Sequence, residues 1–176
     1  DLSQRHGFGK MASVRTPDFQ LFSLNDDPAG LWTAEEDGRI VGCAFSWVAE
    51  RLWFLAELFI APDRQGQRIG QELLKRTFAH ASASGADCNA LITFTFNRVS
   101  QALYIRHGMY PRWPLYMVSA PREVIVQRGG ETALTHVALE RSPAHLDTLE
   151  SIDRSALGFS RRKHHAYLLG EGATKG

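Results

Sequence analysis

Several features common in other protein classes are missing from this chain of 176 residues, and each absence excludes a class. Its two cysteines, Cys43 and Cys88, lie in apolar segments, which excludes a disulfide scaffold and favours a reducing, cytoplasmic compartment. The longest nearly uncharged run, Leu52–Pro62, is about half a membrane span and contains Glu57, so no membrane-crossing segment is predicted. The 20 lysines and arginines balance 19 aspartates and glutamates, which leaves no basic surface for nucleic acid or an anionic membrane.

The chain does have the composition and periodicity of one α/β domain with an extension. Residues 1–120 are predicted to form the main domain, and residues 121–176 a C-terminal extension of a strand and helices. Alternation and turn signals predict strands over Leu31–Glu35, Arg39–Ala49, Leu52–Ala61 and Ala90–Phe96, and more weakly over Trp113–Ser119 and Ala133–Leu139. Helical spacing and caps predict helices over Thr16–Leu24, from Ile69 to Gly85, from Asn97 to Gly108, and after Ser142.

The most informative stretch is a strand, a glycine-containing turn and an amphipathic helix in direct succession. The turn, Pro62–Gly70, joins the strand ending at Ala61 to the helix that follows. Glycines let the backbone come close to a ligand, and the first N–H groups of a helix have no intrahelical partner. Such a turn, at the positive end of the helix dipole, is typical of a phosphate-binding site. Arg64 and Arg68 add positive charge, although both are also typical of solvated turn residues.

Two common phosphate loops do not fit this turn. It has no Gly-Lys-Ser/Thr for a nucleoside triphosphate, and the spacing of Gly66 and Gly70 misses the dinucleotide fingerprint. The run Leu58–Leu74 instead resembles motif A of the GNAT acyl-CoA-dependent N-acetyltransferases, Q/R-x-x-G-x-G/A. Gln65 takes its first position and Gly70 its last, while Arg68 replaces its middle glycine. An arginine with helical backbone angles still offers its N–H at that position.

A second stretch, Asn97–Met109, is similar to motif B of the same family, N-x-x-A-x-x-L-Y-x-x-x-G-F. Asn97 and Tyr104 match this motif, whereas Ser100 and Met109 replace its alanine and its phenylalanine. The interval between the two motifs has room for one helix and one strand, as the family requires. The resemblance covers Leu31–Val118.

This resemblance implies a fold and a co-substrate. The GNAT fold is an α/β (α+β) fold with a central mixed, mostly antiparallel sheet, splayed parallel strands and flanking helices. Acetyl-CoA lies in the splay, with its pantetheine expected near Asn97 and on the backbone of Leu58, Phe59 and Ile60. Its pyrophosphate is expected on the turn and helix start, with Arg64 beside it, along Gln65, Gly66, Gln67, Arg68, Ile69, Gly70 and Gln71. No metal is implied.

The reaction implied by the resemblance is direct transfer of an acetyl group to an amine. Tyr104 is expected near the thioester sulfur, where a phenol can protonate the leaving thiolate. Glu57 is the candidate base, because it is the only charge between Arg51 and Asp63 and has apolar neighbours. Each residue also has a plainer interpretation, in which Tyr104 packs in a core, Asn97 only caps its helix, and Glu57 faces solvent.

The acceptor and the assembly are less constrained. The leading hypothesis is the primary amine of a small molecule, with a protein amino group or a non-catalytic coenzyme A-binding module as alternatives. The stretch Ala133–Leu169 resembles the opening of a second GNAT-like half. Its apolar residues are too many for a solvated appendage, which predicts burial on its own domain or on a partner, and a homodimer. They are Leu146, Leu149, Ile152, Leu157, Phe159, Tyr167 and Leu168.

Overall fold

The structure is a computed structural model that describes residues 16–170 apart from positions 117, 119, 129–132, 134 and 136. Both predicted segments, 1–120 and 121–176, therefore include positions outside the described residues. The strands are β1 (Leu31–Glu36), β2 (Arg39–Ala49), β3 (Leu52–Ile60) and β4 (Cys88–Leu91). The helices are α1 (Asp18–Asp26), α2 (Ile69–Ser84), α3 (Arg98–Arg106), α4 (Arg122–Arg128), α5 (Pro143–Leu157) and α6 (Arg162–Leu168). Among the described helices, none combines the length and the hydropathy needed to span a bilayer.

The strands form one mixed sheet in the order β1-β2-β3-β4. β1, β2 and β3 are antiparallel neighbours joined by short turns, whereas β3 and β4 are parallel. The turn between β1 and β2 places Asp37 and Gly38 at positive φ, as expected for a two-residue hairpin turn with an Asp-Gly pair. The predicted mostly antiparallel sheet with flanking helices is confirmed.

The two parallel strands separate part-way along their length. The ladder joins Leu52–Leu55 to Cys88–Leu91 and ends there, while β3 continues to Ile60. At the same point β3 has a bulge at Ala56, since the register shifts between its neighbours. The predicted splay is therefore confirmed. The predicted strand Ala90–Phe96 is partly wrong, because the chain leaves the ladder with β3 after residue 91.

Helix α2 covers one face of the sheet because its apolar residues recur every three or four positions. Leu74 and Ala81 of α2 are buried with Trp53 and Leu55 of β3 and Tyr104 of α3 in one cluster. Burying such side chains stabilises the fold by roughly 1.5–3 kcal/mol each. This cluster is the main hydrophobic core of the described chain.

A glycine on the sheet lets α2 approach closely. A Cβ atom on Gly42 of β2 would lie 2.8 Å from Ile60 Cδ1 and 3.2 Å from Leu73 Cδ1. The helix then ends where the sequence predicts, because Gly85 adopts the left-handed conformation at φ 74°. Gly42 thus sets the close approach of α2 to the sheet, and Gly85 sets where the helix ends.

The opposite face is covered by helices from both ends of the described chain. His164 of α6 packs against Trp47 of β2, with ring centroids 4.6 Å apart. Phe22 of α1 and Tyr167 of α6 stack at 4.4 Å, which joins the two helices. The C-terminal extension therefore packs on the sheet of its own chain.

The two weaker strand predictions for the C-terminal half are wrong. The described positions of Trp113–Ser119 and Ala133–Leu139 lie outside any strand, because no described strand pairs with them. Within the single chain, Ile152, Leu157 and Leu168 are 57%, 46% and 56% exposed, and their burial on a partner stays a prediction. Helix α5 instead turns a carboxylate inward.

That carboxylate is Asp153, which is 2% exposed. Arg161 donates to it from Nη2 at 2.6 Å, and His165 Nε2 lies 2.8 Å away. The Arg161 guanidinium lowers the pKa of Asp153 to about 2. A buried carboxylate with these partners explains why the apolar pattern alone predicts the wrong inner face for α5.

Candidate functional site

Beyond its last pair with β4, β3 has an open edge. This edge includes the residues on which the family resemblance predicts the pantetheine. Leu58, Phe59 and Ile60 have no strand partner on that side among residues 16–116. Phe59 is 63% exposed, while Leu58 packs against the buried cluster. The Ile60 carbonyl accepts a hydrogen bond from Gln65 Nε2 at 3.3 Å, which ties the strand end to the turn. An edge of this kind can bind a ligand that carries amide groups.

The turn after β3 presents backbone N–H groups. A short 3-10 turn, Pro62–Arg64, is followed by Gly66 at φ 81° and by the first turn of α2. The N–H groups of Gln71 and Glu72 bond to the Arg68 carbonyl at 3.0 and 3.1 Å. The N–H groups of residues 66–70 donate to no acceptor in the described part of the chain. They form a cradle for an anion at the positive end of the helix dipole.

Arg68 does not have the helical backbone angles expected from the sequence. Its φ of 67° and ψ of 4° are left-handed, a conformation that costs a non-glycine residue about 1–2 kcal/mol. The turn therefore needs a residue of glycine-like freedom just before α2, and this chain supplies an arginine. The Arg68 side chain is exposed and forms no ion pair within the described residues. Its guanidinium is thus available to an anion in the cradle.

Arg64, the other predicted cation of the turn, already has partners. Its guanidinium pairs with the carboxylates of Glu36 and Asp63. Arg39 forms a two-bond pair with Asp63 at 2.9 and 3.0 Å, and this hydrogen bonding lowers the pKa of the Asp63 carboxyl. Carboxylates thus compensate much of the charge of Arg64, whereas the exposed guanidinium of Arg68 has no ion pair within the described residues.

Asn97 lies at the start of α3, on the far side of the splay. Its Oδ1 accepts a hydrogen bond from the Ser100 N–H at 3.2 Å, so it caps the helix. Gln101 Nε2 donates to the carbonyls of Phe94 and Thr95, which ties α3 to the chain that leaves β4. The structure therefore shows the capping role of Asn97 and does not test a contact with pantetheine.

Tyr104 lies in the buried cluster, where it is 9% exposed. Leu91, the last paired residue of β4, and Leu58, beyond the last pair on β3, both pack against this cluster. The tyrosine is thus beside the point where the strands separate. Burial raises the pKa of Tyr104, and a hydrogen bond with Ser100 offsets part of that rise. The hydroxyl is protonated at neutral pH and can act as a proton donor.

Glu57 lies on the opposite side of β3, facing α1. It pairs in register with Phe45, and its carboxylate is half-buried. Its Oε1 accepts a hydrogen bond from Gln20 Nε2 at 2.8 Å. The sequence analysis missed Gln20, because the two residues are 37 positions apart and no local pattern links them. The structure thus connects Glu57 to α1 and gives it no contact with Tyr104.

A Ser-His-Asp arrangement is also present, although its serine is inaccessible. Ser46 Oγ lies 3.1 Å from His80 Nδ1, and His80 Nε2 lies 2.8 Å from Asp27 Oδ2. Ser46 is 0% exposed and also lies 3.3 Å from the Gly30 carbonyl. No substrate can reach such a hydroxyl, so the group stabilises the junction of α1, β2 and α2. Sequence reasoning did not find this group either.

Comparisons with known proteins agree with the two motifs. The family model of the GNAT acetyltransferases matches residues 4–109 of this chain. The mycothiol acetyltransferase of Streptomyces coelicolor is 35% identical over 86 residues, which are 47% of this chain and 27% of the relative. The uncharacterized N-acetyltransferase YhfO of Bacillus subtilis is 33% identical over 91 residues, which are 48% of this chain and 61% of the relative.

A solved structure supports the fold. An aminoglycoside acetyltransferase from an uncultured soil metagenomic sample, crystallised with trehalose, superposes with a TM-score of 0.52 at 17% identity. The match covers 68% of this chain and 84% of that protein. The chain spans less than two thirds of the length of the two curated relatives that it matches. Since the family model covers more than half of it, including both motifs, the chain belongs to the GNAT family of acetyltransferases.

Proposed function

We propose that this chain is an acetyl-CoA-dependent N-acetyltransferase that acts on a primary amine of a small molecule. The observation that carries the proposal is the open edge of β3 leading directly into unpaired N–H groups at residues 66–70. An extended amide-containing chain ending in a pyrophosphate matches that sequence of donors and acceptors. The reaction proceeds by direct transfer while both substrates are bound.

In this proposal each part of acetyl-CoA meets a different part of the site. The backbone of Leu58, Phe59 and Ile60 binds the pantetheine, and Asn97 lies beside it. The pyrophosphate binds along Gln65–Gln71, with the free guanidinium of Arg68 as the main charged contact and Arg64 as a more distant one. The thioester carbonyl then lies near the bulge of β3, where backbone N–H groups can stabilise an oxyanion.

The chemistry needs one proton acceptor and one proton donor. Glu57 takes a proton from the substrate ammonium, directly or through water, which leaves a neutral amine. The amine nitrogen attacks the thioester carbon, and the resulting tetrahedral intermediate collapses by breaking the carbon–sulfur bond. The leaving thiolate takes the hydroxyl proton of Tyr104, and the newly acylated nitrogen gives its remaining extra proton to water. Glu57 then releases its proton to solvent, and Tyr104 regains one from solvent. The net products are an N-acetylated amine, coenzyme A and one proton.

Two observations support a small-molecule acceptor. The relative from Streptomyces coelicolor is named for mycothiol rather than for a protein substrate. The balanced charge of this chain favours no polymeric partner.

We also propose a cytoplasmic location, a division into a catalytic part (1–120) and an extension (121–176), and a homodimer. The exposed apolar residues Trp113, Tyr116 and Val118 suit such an assembly, which analytical ultracentrifugation tests.

One observation favours a second candidate, a coenzyme A-binding module without catalysis. Tyr104 is almost fully buried, which is also what a purely packing tyrosine would show. The two candidates differ in one outcome. Both bind acetyl-CoA, but only the enzyme releases thiol when a primary amine is present.

The test of acetyl-CoA binding has a matched control in the chain. Gly66 and Gly38 both have positive φ, at 81° and 75°, and both have open space where a Cβ would lie. Gly66→Asp and Gly38→Asp therefore introduce similar strain, but only the first places a carboxylate in the anion cradle. Acetyl-CoA at a hundredfold excess over its Kd should stabilise the wild type and Gly38→Asp by about 2.7 kcal/mol.

Gly66→Asp should lose this stabilisation in a thermal-shift titration. A wild type whose Tm does not respond to acetyl-CoA would sink the binding assignment. A response without thiol release from ethanolamine, glucosamine, spermidine or kanamycin would favour the non-catalytic module.

A further inference from the structure

We propose that Gln20 is a positioning residue that fixes the carboxylate of Glu57, and that α6 holds Gln20 in place by packing against α1. The inference rests on the proposed function, in which Glu57 accepts the proton of the amine. It assigns a role in that function to the N-terminal helix and to the C-terminal extension. Neither motif A nor motif B contains these elements.

The geometry at Glu57 leaves one carboxylate oxygen for the reaction. Gln20 Nε2 donates to Oε1 at 2.8 Å, in a part-buried setting. A carboxylate accepts on both oxygens, so this bond orients the group and leaves Oε2 for the proton of the amine. The amide of Gln20 carries no charge and does not titrate, so it orients the base without neutralising it.

Helix α1 depends on other elements for its position. It has nine residues, begins after Pro17 without a side-chain cap, and is shorter than helices that are stable alone in water. Its polar Gln20 follows Phe19, whose ring lies 5.9 Å from that of Phe45 on β2. Phe45 is the register partner of Glu57, so the same contact brings Gln20 to the carboxylate.

Helix α6 supplies much of that support. Tyr167 stacks on Phe22 at 4.4 Å and packs near Phe19 at 5.6 Å, and Lys163 pairs with Asp26. Aromatic pairs of this kind contribute about 0.5–1.5 kcal/mol beyond the area they bury. Because the rings lie on both sides of Gln20 in the sequence, they fix the rotation of α1 about its axis. The extension therefore sets the direction in which Gln20 points.

A double-mutant cycle separates positioning from general stabilisation. Gln20→Met keeps the length of the side chain and removes the donor, and Glu57→Gln removes the base. Wild type, both single variants and the double variant are assayed by thiol release with acetyl-CoA and the best of ethanolamine, glucosamine, spermidine and kanamycin. Gln20→Met should lower kcat by about tenfold with an unchanged Kd for acetyl-CoA, since small misplacements of a catalytic group are costly. When Gln20→Met is added to Glu57→Gln, kcat should change by less than twofold.

If Gln20→Met lowered kcat by the same factor with Glu57 present and with Glu57→Gln, the positioning role would be overturned. No loss on Glu57→Gln alone would instead show that Glu57 is not the base, which is a failure of the proposed function. The hydrogen bond itself is tested without activity, by the side-chain amide resonances of Gln20 in an NMR spectrum. They should move in Glu57→Gln, and unchanged resonances would overturn the inference even if the protein is an active enzyme.

The support from α6 is tested with neighbouring residues. Tyr167→Ala should lower kcat several-fold, with the loss abolished in the Glu57→Gln background. Leu168→Ala is the matched control, since Leu168 is 56% exposed, and it should leave kcat unchanged. Equal kcat values for Tyr167→Ala and the wild type would overturn the role of α6.

Discussion

The two faces of the sheet are covered in different ways. Helix α2 follows β3 directly in the chain and covers its face with aliphatic side chains around Trp53. The opposite face is covered by α1 and α6 through aromatic rings, a histidine and ion pairs. Lys163 and Asp26, which join these two helices, are 137 positions apart in the sequence.

The two faces therefore differ in the contacts that specify them and in how their stability responds to pH. Apart from the Ser46–His80–Asp27 group, the α2 face is mostly apolar, and a regular helical pattern specifies it. The α1–α6 face contains buried titratable groups, so its stability varies with pH, and long-range contacts specify it. The proposed base, Glu57, lies on this second face, whereas the proposed acid, Tyr104, belongs to the core beside the first.

The largest effect on stability should come from the α2 face. Leu74 is 0% exposed, so Leu74→Ala leaves a cavity and should lower the free energy of unfolding by about 4 kcal/mol. Leu168→Ala on the exposed side of α6 should change it by less than about 0.5 kcal/mol. Urea denaturation of both variants measures the two values. A small effect at Leu74 would contradict a core centred under α2.

The next effect is a pH dependence of the free energy of unfolding that comes from the α1–α6 face. Burial, with a smaller contribution from Lys163, lowers the pKa of His164 to about 4. An unfolded histidine has a pKa of about 6.5, so between these values the unfolded chain binds a proton that the folded chain does not. Stability from neutral His164 is therefore complete above pH 7 and is lost progressively as the pH falls to 4. The loss amounts to about 3 kcal/mol.

His164→Phe keeps a ring in the aromatic cluster and removes the titration. The difference in unfolding free energy between the wild type and this variant should therefore change by about 3 kcal/mol between pH 7 and pH 4. Asp153 does not interfere, because its own transition lies between its unfolded pKa of 3.8 and about 2. A difference that is constant with pH would contradict the buried, neutral state of His164.

A smaller effect is expected at the start of α2, where the sheet face meets the anion cradle. Arg68→Gly removes a left-handed arginine and should raise the free energy of unfolding by about 1 kcal/mol. Asp37→Gly at φ 50° is the comparison, and its gain should be smaller because aspartate tolerates this conformation better. The same Arg68 variant should bind acetyl-CoA more weakly at low salt. A destabilised Arg68→Gly would show that the arginine side chain has stabilising contacts.

Sequence patterns predicted the parts of the molecule that depend on neighbours in the chain. The Asp37-Gly38 hairpin, the amphipathic α2 with its Gly85 cap, and the Asn97 cap of α3 follow from local chemistry, and the structure confirms them. The two motifs likewise predicted the family. Local patterns did not predict the left-handed backbone angles of Arg68, which lies at the end of the turn between β3 and α2.

The remaining differences involve residues that are not neighbours in the sequence. The early end of β4 coincides with the bulge in β3, and the inward-facing Asp153 pairs with Arg161 eight positions later. The bond between Gln20 and Glu57 joins residues 37 positions apart, and the contact of α6 with α1 joins the two ends of the described chain. A hydrophobic pattern predicts that a face is buried, but it does not predict which distant element covers it or which polar pairs are buried there.

In the proposed mechanism, acetyl transfer takes place where β3 and β4 separate, and the hydroxyl of Tyr104 is the proton donor. The most direct measurement compares thiol release by the wild type and Tyr104→Phe, with the Kd of acetyl-CoA measured for both. The phenylalanine keeps the ring in the core and removes only the hydroxyl, so kcat should fall by about a hundredfold or more while the Kd stays nearly unchanged. Full activity of Tyr104→Phe at neutral pH would contradict it and would show that the tyrosine only packs.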